Sequence, residues 1–189
     1  MLIARIMNIL YWTWIGGETL LQIFTYTRRS KGTAKDRGSL LILLPALFCS
    51  VWWASWYGET HPHNLFGDAP WVRTAALVVM ATGLVIRWTA ILSLGRAFST
   101  NVAIRTQQTL MTSGLYRWVR HPSYTGMLLS FAAIGLWERN WVSLAITIVL
   151  PFAALLYRLH VEEAALTSAF GEQYVDYCRH TRRILPGIY

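Results

Sequence analysis

Five apolar runs constrain the fold of this chain more than any other feature. They cover residues 6–26, 39–57, 71–94, 122–137 and 141–159. A helix rises about 1.5 Å per residue, so most of these runs are long enough to cross about 30 Å of hydrocarbon. Charged residues make up only 14% of the chain, whereas soluble domains are about a quarter charged. We therefore expect an all-α, polytopic integral membrane protein, in which residues 1–189 form one membrane domain with about five transmembrane helices.

Basic residues are distributed unevenly between the loops that join these runs. The loops 27–38 and 95–123 carry several lysines or arginines, whereas the loop 58–70 carries none. Cytoplasmic loops hold the excess of Lys and Arg, so the pattern predicts an external N-terminus and a cytoplasmic C-terminal segment 160–189. Despite a net charge of +8, we expect no nucleic-acid partner, because the basic residues lie between apolar runs and not in a stripe on a soluble domain.

The sequence contains no recognisable metal or disulfide pattern. His61 and His63 lie close together in the outer loop, but no third ligand follows at a zinc-like spacing. Cys49 and Cys178 have neither metal-ligand spacing nor the spacing of a disulfide framework. We predict no metal and two reduced cysteines.

Two charged residues lie inside predicted spans. Glu18 belongs to the first run, and Arg87 lies about 12 Å of helix before Gly95. A charge that faces lipid is costly, so both side chains should face other helices, water or a cavity. Glu18 is either a helix-packing carboxylate or a substrate-binding group, and Arg87 either snorkels to the interface or lines a cavity. Both are candidate substrate-binding residues.

Chemical groups are concentrated in the segment 114–126. Pro122 lacks a donor N–H and favours the first position of a helix, so the chain should turn at Arg120 and His121 and enter a helix at Pro122. The free backbone N–H groups of a helix start, beside basic side chains, attract a carboxylate or a phosphate. This helix start therefore predicts an anion site.

The last apolar run leaves the membrane through a second charged group. Arg158 and Glu162 lie one helical turn apart, and Glu163 follows. Together with the helix start and the aromatic rings of Tyr116 and Tyr124, this set suits S-adenosylmethionine. That molecule offers a carboxylate for a cation, an ammonium for a carboxylate and a sulfonium for an aromatic face. We expect a pocket with two halves, the helix start and the charged end of the last span.

Short motifs follow one another in a distinctive order along residues 83–189. They are Leu94-Gly95-Arg96 with Phe98-Ser99, Gly114-Leu115-Tyr116, the run from Arg120 to Gly126, Arg158 with Glu162-Glu163, Phe170-Gly171 with Tyr174 and Tyr177, and Arg183 with Pro186. This order resembles the isoprenylcysteine carboxyl methyltransferase family and its phospholipid methyltransferase relatives. The resemblance implies an integral-membrane methyltransferase that uses S-adenosylmethionine, releases S-adenosylhomocysteine and holds the cofactor at the cytoplasmic edge under its C-terminal segment.

The resemblance also implies roles for single residues. His121 and Tyr124 match positions that contact the cofactor, and Arg158 and Glu162 match catalytic positions near the transferred methyl group. The candidate cofactor-binding residues are Tyr116, Arg120, His121, Pro122, Tyr124, Glu163, Tyr174 and Tyr177. Our hypothesis is that Arg158 orients an anionic acceptor, that Glu162 holds or tunes Arg158, and that the lipid part enters sideways between spans.

Several acceptors and two other protein classes stay open at this point. A prenylated-cysteine carboxylate is the acceptor that the resemblance implies first, while phospholipid amines, small thiols and other isoprenoids are chemically allowed. The ending 174–189 also looks like that of membrane sterol reductases that use NADPH. A noncatalytic membrane scaffold is the third class. Partners are expected to be the bilayer and a lipidic or prenylated substrate, and nothing in the sequence predicts an oligomeric state.

Overall fold

A computed structural model of the chain is built almost entirely from helices. It describes residues 2–25, 33–34, 38–61, 70–100, 103–104 and 108–185. Within these ranges the α-helices are α1 Leu2–Thr25, α2 Ser39–Thr60, α3 Pro70–Leu94, α4 Pro122–Trp137, α5 Trp141–Phe170 and α6 Glu172–His180. The prediction of an all-α fold is confirmed.

Short elements connect the helices on the side of the two predicted basic loops. Two 3-10 turns span Gly95–Ala97 and Gly114–Arg117. A two-residue strand β1, Thr33–Ala34, pairs antiparallel with β2, Ala103–Ile104, and so ties the two loops together. No sequence pattern indicated this pairing. The lysines and arginines predicted in the loop 27–38, together with His63 and Pro186, lie outside the described residues.

Among the described residues, three helices are long and apolar enough to cross a membrane. They are α2, α3 with its continuation (Trp71–Ala97), and α5. Helix α4 has 16 residues, about 24 Å of helix, and α1 carries Arg5 and Glu18. The prediction of an integral membrane protein is confirmed, whereas the count of five spans, which requires α1 and α4, stays a prediction.

Two helices extend beyond their apolar runs. Helix α1 begins at Leu2 and passes through Gly16 and Gly17 without interruption. Helix α5 continues to Phe170, beyond the predicted end of its span at residue 159. A charged helix end can extend past an apolar run because the backbone hydrogen bonds do not depend on hydropathy.

Helix α4 occupies the centre of the bundle. It packs against α3 on one side and α5 on the other, while α2 packs against α5 and α1 against α3. Glycines bring α3 and α4 into backbone contact: a Cβ added to Gly126 would lie 2.5 Å from the carbonyl oxygen of Gly83 and 2.6 Å from the nitrogen of Arg87. Phe131 and Leu155 lie in the core beside this contact and are 2% and 0% exposed.

The helices alternate in direction, so the second halves of α1, α3 and α5 meet the starts of α2 and α4. Two hydrogen bonds show this meeting point. Arg158, late in α5, contacts Ser39 at the start of α2, and Arg87, late in α3, contacts Ser123 at the start of α4. The polar residues singled out from the sequence are therefore gathered at one end of the bundle.

Candidate active site

The two predicted halves of the site open into one cavity of about 850 Å³. Cavities of this size hold small organic ligands. Ten of the twelve predicted site residues line it, namely Glu18, Arg87, Tyr116, Arg120, His121, Tyr124, Arg158, Glu162, Tyr174 and Tyr177. The other two are not in its wall: Pro122 is fully buried as the first residue of α4, and Glu163 is engaged by two arginines.

The guanidinium of Arg158 is held from three sides. Its Nε donates to the Tyr124 hydroxyl at 3.0 Å, its Nη1 donates to Ser39 Oγ at 3.1 Å, and its Nη2 donates to the carbonyl of Thr100. Arg158 is only 4% exposed. These contacts fix the direction of the cation before a ligand arrives, which is what electrostatic preorganisation requires.

Tyr124 connects Arg158 to Glu162. The Tyr124 hydroxyl accepts from Arg158 and donates to Glu162 Oε2 at 2.5 Å. The His121 ring stacks on the Tyr124 ring, with centroids 5.4 Å apart and planes 6° apart. Glu162 can therefore act on Arg158 through the hydroxyl of Tyr124, a residue that the sequence suggested only as a cofactor contact.

Three buried polar atoms in the cavity wall lack a hydrogen-bond partner among the described residues. They are His121 Nε2, the Tyr174 hydroxyl and Thr100 Oγ1. The His121 ring lies between two carboxylates, with Nδ1 3.7 Å from Glu162 Oε2 and Nε2 3.6 Å from Glu163 Oε1. Leaving a polar group buried without a partner costs about 1–3 kcal/mol. A ligand that supplies partners to these atoms would remove that cost.

The side chain of Arg120 holds the C-terminal segment. Its Nε donates to Glu163 Oε1 at 2.9 Å, and its Nη1 donates to the carbonyls of Thr181 at 2.5 Å and Cys178 at 3.2 Å. Glu163 also accepts from Arg183 at 3.0 Å. Most of the donors of Arg120 are therefore occupied by protein acceptors, and the residue acts first as an anchor for the segment that follows α6.

The backbone N–H groups before α4 are also occupied. Arg120 N donates to the carbonyl of Arg182 at 2.7 Å, and His121 N donates to the carbonyl of Arg183 at 2.9 Å. Here Val119 and Arg182 pair in parallel, like strands. The amides of Arg120 and His121 are therefore occupied by a distant segment, and no local pattern reveals such a pairing. The anion site at the start of α4 stays a prediction.

The tyrosines around the cavity are neutral hydrogen-bond donors. Tyr177 donates to the carbonyl of Tyr116 at 2.5 Å, and Tyr116 donates to the carbonyl of Ala90 at 3.2 Å. Burial raises the pKa of Tyr177 to about 12 and also raises the pKa values of Tyr116 and Tyr174. None of these three phenols is therefore suited to act as a base near neutral pH.

Glu18 and Arg87 meet each other at the cavity wall. Arg87 donates through Nε to Glu18 Oε1 and through Nη2 to Glu18 Oε2, the latter at 2.5 Å. Arg87 is 4% exposed, so it lines the cavity and does not snorkel to the interface. Glu18 takes the helix-packing role that was one of its two alternatives. A substrate-binding role for either residue stays a prediction.

The apolar part of the cavity continues as a groove between α1 and α2. Its lining on α2 runs from Leu40 to Glu59, about 28 Å of helix. Phe48 and Trp52 line it and are 72% and 58% exposed. Because α1 packs mainly on α3 and α2 on α5, the groove opens sideways toward the surface that faces lipid.

Comparison with known proteins shows similarity to isoprenylcysteine methyltransferases. The model of the isoprenylcysteine carboxyl methyltransferase (ICMT) family matches residues 75–168. Protein-S-isoprenylcysteine O-methyltransferase B of Arabidopsis thaliana is 31% identical over 118 residues, which are 61% of this chain and 60% of that protein. Protein-S-isoprenylcysteine O-methyltransferase of Tribolium castaneum is 30% identical over 138 residues, which are 72% of this chain and 49% of that protein.

A solved structure agrees with these matches. It is that of the eukaryotic intramembrane Ras methyltransferase ICMT, with a TM-score of 0.65 and 30% identity over 76% of this chain and 51% of that chain. The chain spans about half to three fifths of the length of these proteins. The segment matched by the family model contains His121, Tyr124, Arg158 and Glu162.

Proposed function

This chain belongs to the isoprenylcysteine carboxyl methyltransferase family, and on that premise we propose that it is an S-adenosylmethionine-dependent methyltransferase acting on the carboxylate of an isoprenylated cysteine. One observation carries the proposal: the linked side chains Arg158, Tyr124 and Glu162 line the same cavity as a groove that opens toward lipid. The distribution of basic loops supports an external N-terminus and a cytoplasmic site and C-terminus.

The chemistry of the cavity wall fits S-adenosylmethionine. The buried Nε2 of His121 and the hydroxyl of Tyr174 have no hydrogen-bond partner among the described residues. The aminoacyl end of the cofactor offers both donors and acceptors. Glu162 provides an anion for the ammonium, and Leu166 and Phe170 provide apolar surface for adenine. When bound, S-adenosylmethionine supplies a methyl group on a positively charged sulfur. We assign His121, Tyr174 and Glu162 to its binding.

Glu163 and Pro122 support this pocket from outside its wall, and Arg120, which lines it, donates mainly to protein acceptors. Arg120 and Glu163 bind each other and hold the segment that includes Thr181, so they keep α6 over the cavity. Pro122 fixes the start of α4. We propose that the three predicted cofactor contacts act through the placement of α4 and α6 and not by touching the cofactor.

The residues present can promote methyl transfer without a protein nucleophile or base. Arg158 binds the acceptor carboxylate and aims one of its oxygens. With S-adenosylmethionine bound, that oxygen would take the methyl group from the sulfonium, whose C–S electron pair would stay on sulfur, so no proton would have to move. Alignment in a cavity that excludes water supplies the rate. Glu162, acting through Tyr124, keeps Arg158 in its orientation.

The groove between α1 and α2 suits the lipid part of the acceptor. Its lining is largely apolar, from Leu43 and Leu47 on α2 to Ile15 on α1. Burying a hydrocarbon tail contributes about 0.8 kcal/mol per CH₂ in water, and less when the tail comes from a bilayer. The groove therefore supplies selection and orientation more than affinity, because it lets a tail remain in an apolar phase while the carboxylate reaches Arg158.

Binding and activity measurements test the proposal together. Calorimetry on purified protein should show binding of S-adenosylhomocysteine and no binding of NADPH. Methyl transfer to an N-acetyl S-farnesylcysteine should be lost in Arg158→Ala and strongly reduced in Glu162→Gln at saturating cofactor. NADPH binding without S-adenosylhomocysteine binding would point to a reductase, and binding of neither would point to a scaffold. Full activity in both variants would refute the assigned roles.

A further inference from the structure

A buried ion pair between α1 and α3 lies in the cavity wall apart from the proposed chemistry. Glu18 of α1 and Arg87 of α3 form a two-point contact in which both carboxylate oxygens accept from the guanidinium. Their side chains are 23% and 5% exposed. A charged pair at this depth among membrane helices is costly to bury, so its retention calls for a purpose beyond filling space.

The arginine of this pair also forms a hydrogen bond with the backbone at the start of α4. Arg87 Nη1 donates to the carbonyl of Ser123 at 3.1 Å. Ser123 directly precedes Tyr124, the residue between Arg158 and Glu162. Arg87 is therefore one peptide unit away from the side chain that organises the acceptor end of the cavity.

The glutamate of the pair fixes the orientation of α1. Glu18 Oε1 accepts from Trp14 Nε1 at 3.1 Å, one turn earlier on the same helix. Trp14 is 3% exposed and packs edge-on against Phe131 of α4, with ring centroids 5.1 Å apart. Much of the rest of α1 is apolar and exposed, for example Ile9 at 65% and Phe24 at 79%. Such a surface slides easily in lipid, so the polar contact determines which face of α1 lines the groove.

Direct binding of the acceptor carboxylate by Arg87 is the competing explanation. The charge of Arg87 is already paired with the Glu18 carboxylate, whereas the Arg158 partners described above are an uncharged phenol, hydroxyl and carbonyl. At Arg87 an acceptor carboxylate would have to displace Glu18 and would meet its negative charge. The geometry therefore favours a role in placing the walls of the cavity over a role in contacting the substrate.

We propose that Glu18 and Arg87 are positioning residues that set the width of the groove between α1 and α2 and thereby the selection of acceptors by tail length. The proposal rests on the function proposed above, since it assumes that the groove holds the lipid tail of the acceptor. Without the pair, α1 is free to rotate or move away from α3, and the groove loses a defined wall. A long tail contacts more of that wall than a short one.

The test compares two acceptors that share a head group and differ in tail, N-acetyl S-geranylcysteine and N-acetyl S-farnesylcysteine. In Glu18→Gln we expect KM to rise about tenfold for the farnesyl acceptor and clearly less for the geranyl acceptor, with kcat and S-adenosylhomocysteine affinity nearly unchanged. The charge-swapped double variant Glu18→Arg, Arg87→Glu restores the ion pair but neither the bond from Trp14 nor the bond to Ser123, so it should recover part of the farnesyl preference. Arg5→Gln, an exposed change on the same helix, is the matched control.

Each other outcome overturns the inference. Equal KM increases for both acceptors would mean that Arg87 or Glu18 binds the shared carboxylate. A loss of S-adenosylhomocysteine binding in Glu18→Gln, without recovery in the charge-swapped variant, would reduce the pair to a folding element. If the wild-type protein methylates neither acceptor although it binds S-adenosylhomocysteine, the proposed acceptor class fails instead. The two failures are therefore distinguishable.

Discussion

Replacing Tyr124 with phenylalanine removes one oxygen from the centre of the site and leaves the ring in place. The lost hydroxyl accepts from Arg158 Nε at 3.0 Å and donates to Glu162 Oε2 at 2.5 Å. Tyr124 is 8% exposed and Arg158 is 4% exposed, so water does not readily replace the missing oxygen. Hydrogen bonds to charged groups contribute about 1.5–3 kcal/mol each.

This loss should appear in the chemical step. If the Arg158 orientation depends on the Tyr124 hydroxyl, the same energy is lost from transition-state stabilisation, and kcat should fall about 10- to 150-fold. Cofactor affinity should change little, because the stacking of the ring on His121 is retained. A lower kcat at unchanged cofactor affinity would therefore show that Tyr124 acts through Arg158 and not by contacting the cofactor.

The assay measures kcat and KM for methyl transfer from labelled S-adenosylmethionine, together with the Kd of S-adenosylhomocysteine by calorimetry. Tyr157→Phe is the matched control, because Tyr157 is the neighbour of Arg158 on α5 and is 41% exposed. A kcat within about twofold of wild type in Tyr124→Phe would refute the link. A raised Kd at unchanged kcat would show that Tyr124 serves the cofactor, as the family resemblance implied.

Three further changes test the packing around the site. Gly126→Ala places a Cβ 2.5 Å from a facing carbonyl oxygen of α3 and should destabilise the protein by about 1–3 kcal/mol, visible as a lower Tm, whereas Gly16→Ala, with no atom within 4 Å, should not. Arg120→Ala should speed amide hydrogen exchange in the C-terminal segment and weaken S-adenosylhomocysteine binding. Arg179→Ala is the control and should do neither, because the Arg179 side chain is 72% exposed. The raised pKa of Tyr177 means that the folded protein favours the neutral phenol. The Tm should therefore be retained below about pH 10 and fall toward pH 12, with a smaller fall in Tyr177→Phe. Equal profiles of Tm against pH in the two proteins would contradict this.

Hydropathy and charge were sufficient to predict the helices and to gather the chemistry at one end. The length of an apolar run predicts the length of the helix. Pro122 also predicts where α4 begins, because proline suits the first turn of a helix. The helical spacing of Arg158 and Glu162 placed them on one face. Alternation of helix direction then brought Arg158 to the end of the bundle where α4 begins, as the structure shows.

Contacts between distant segments were beyond local patterns. Ser39 lies 119 residues from Arg158, and nothing around it distinguishes it from any other serine at a helix start. The pairing of Val119 with Arg182 occupies the amides of Arg120 and His121, beside the predicted anion site. From the sequence, Arg87 is equally suited to the membrane interface and to a cavity. Its contact with Glu18, which holds it at the cavity wall, depends on how α1 packs against α3. In each case the missing information was the tertiary neighbour.

The chemical identity of the methylated atom tests the central claim most directly. The purified protein is incubated with methyl-labelled S-adenosylmethionine and either N-acetyl S-farnesylcysteine or a lipid extract. The product is identified by mass spectrometry and by its lability to base. A carboxyl methyl ester that forms with wild type and not with Arg158→Ala is the predicted result. A methylated amine or thiol from a lipid extract, with no ester from the farnesylcysteine, would contradict the assignment of Arg158 to a carboxylate acceptor.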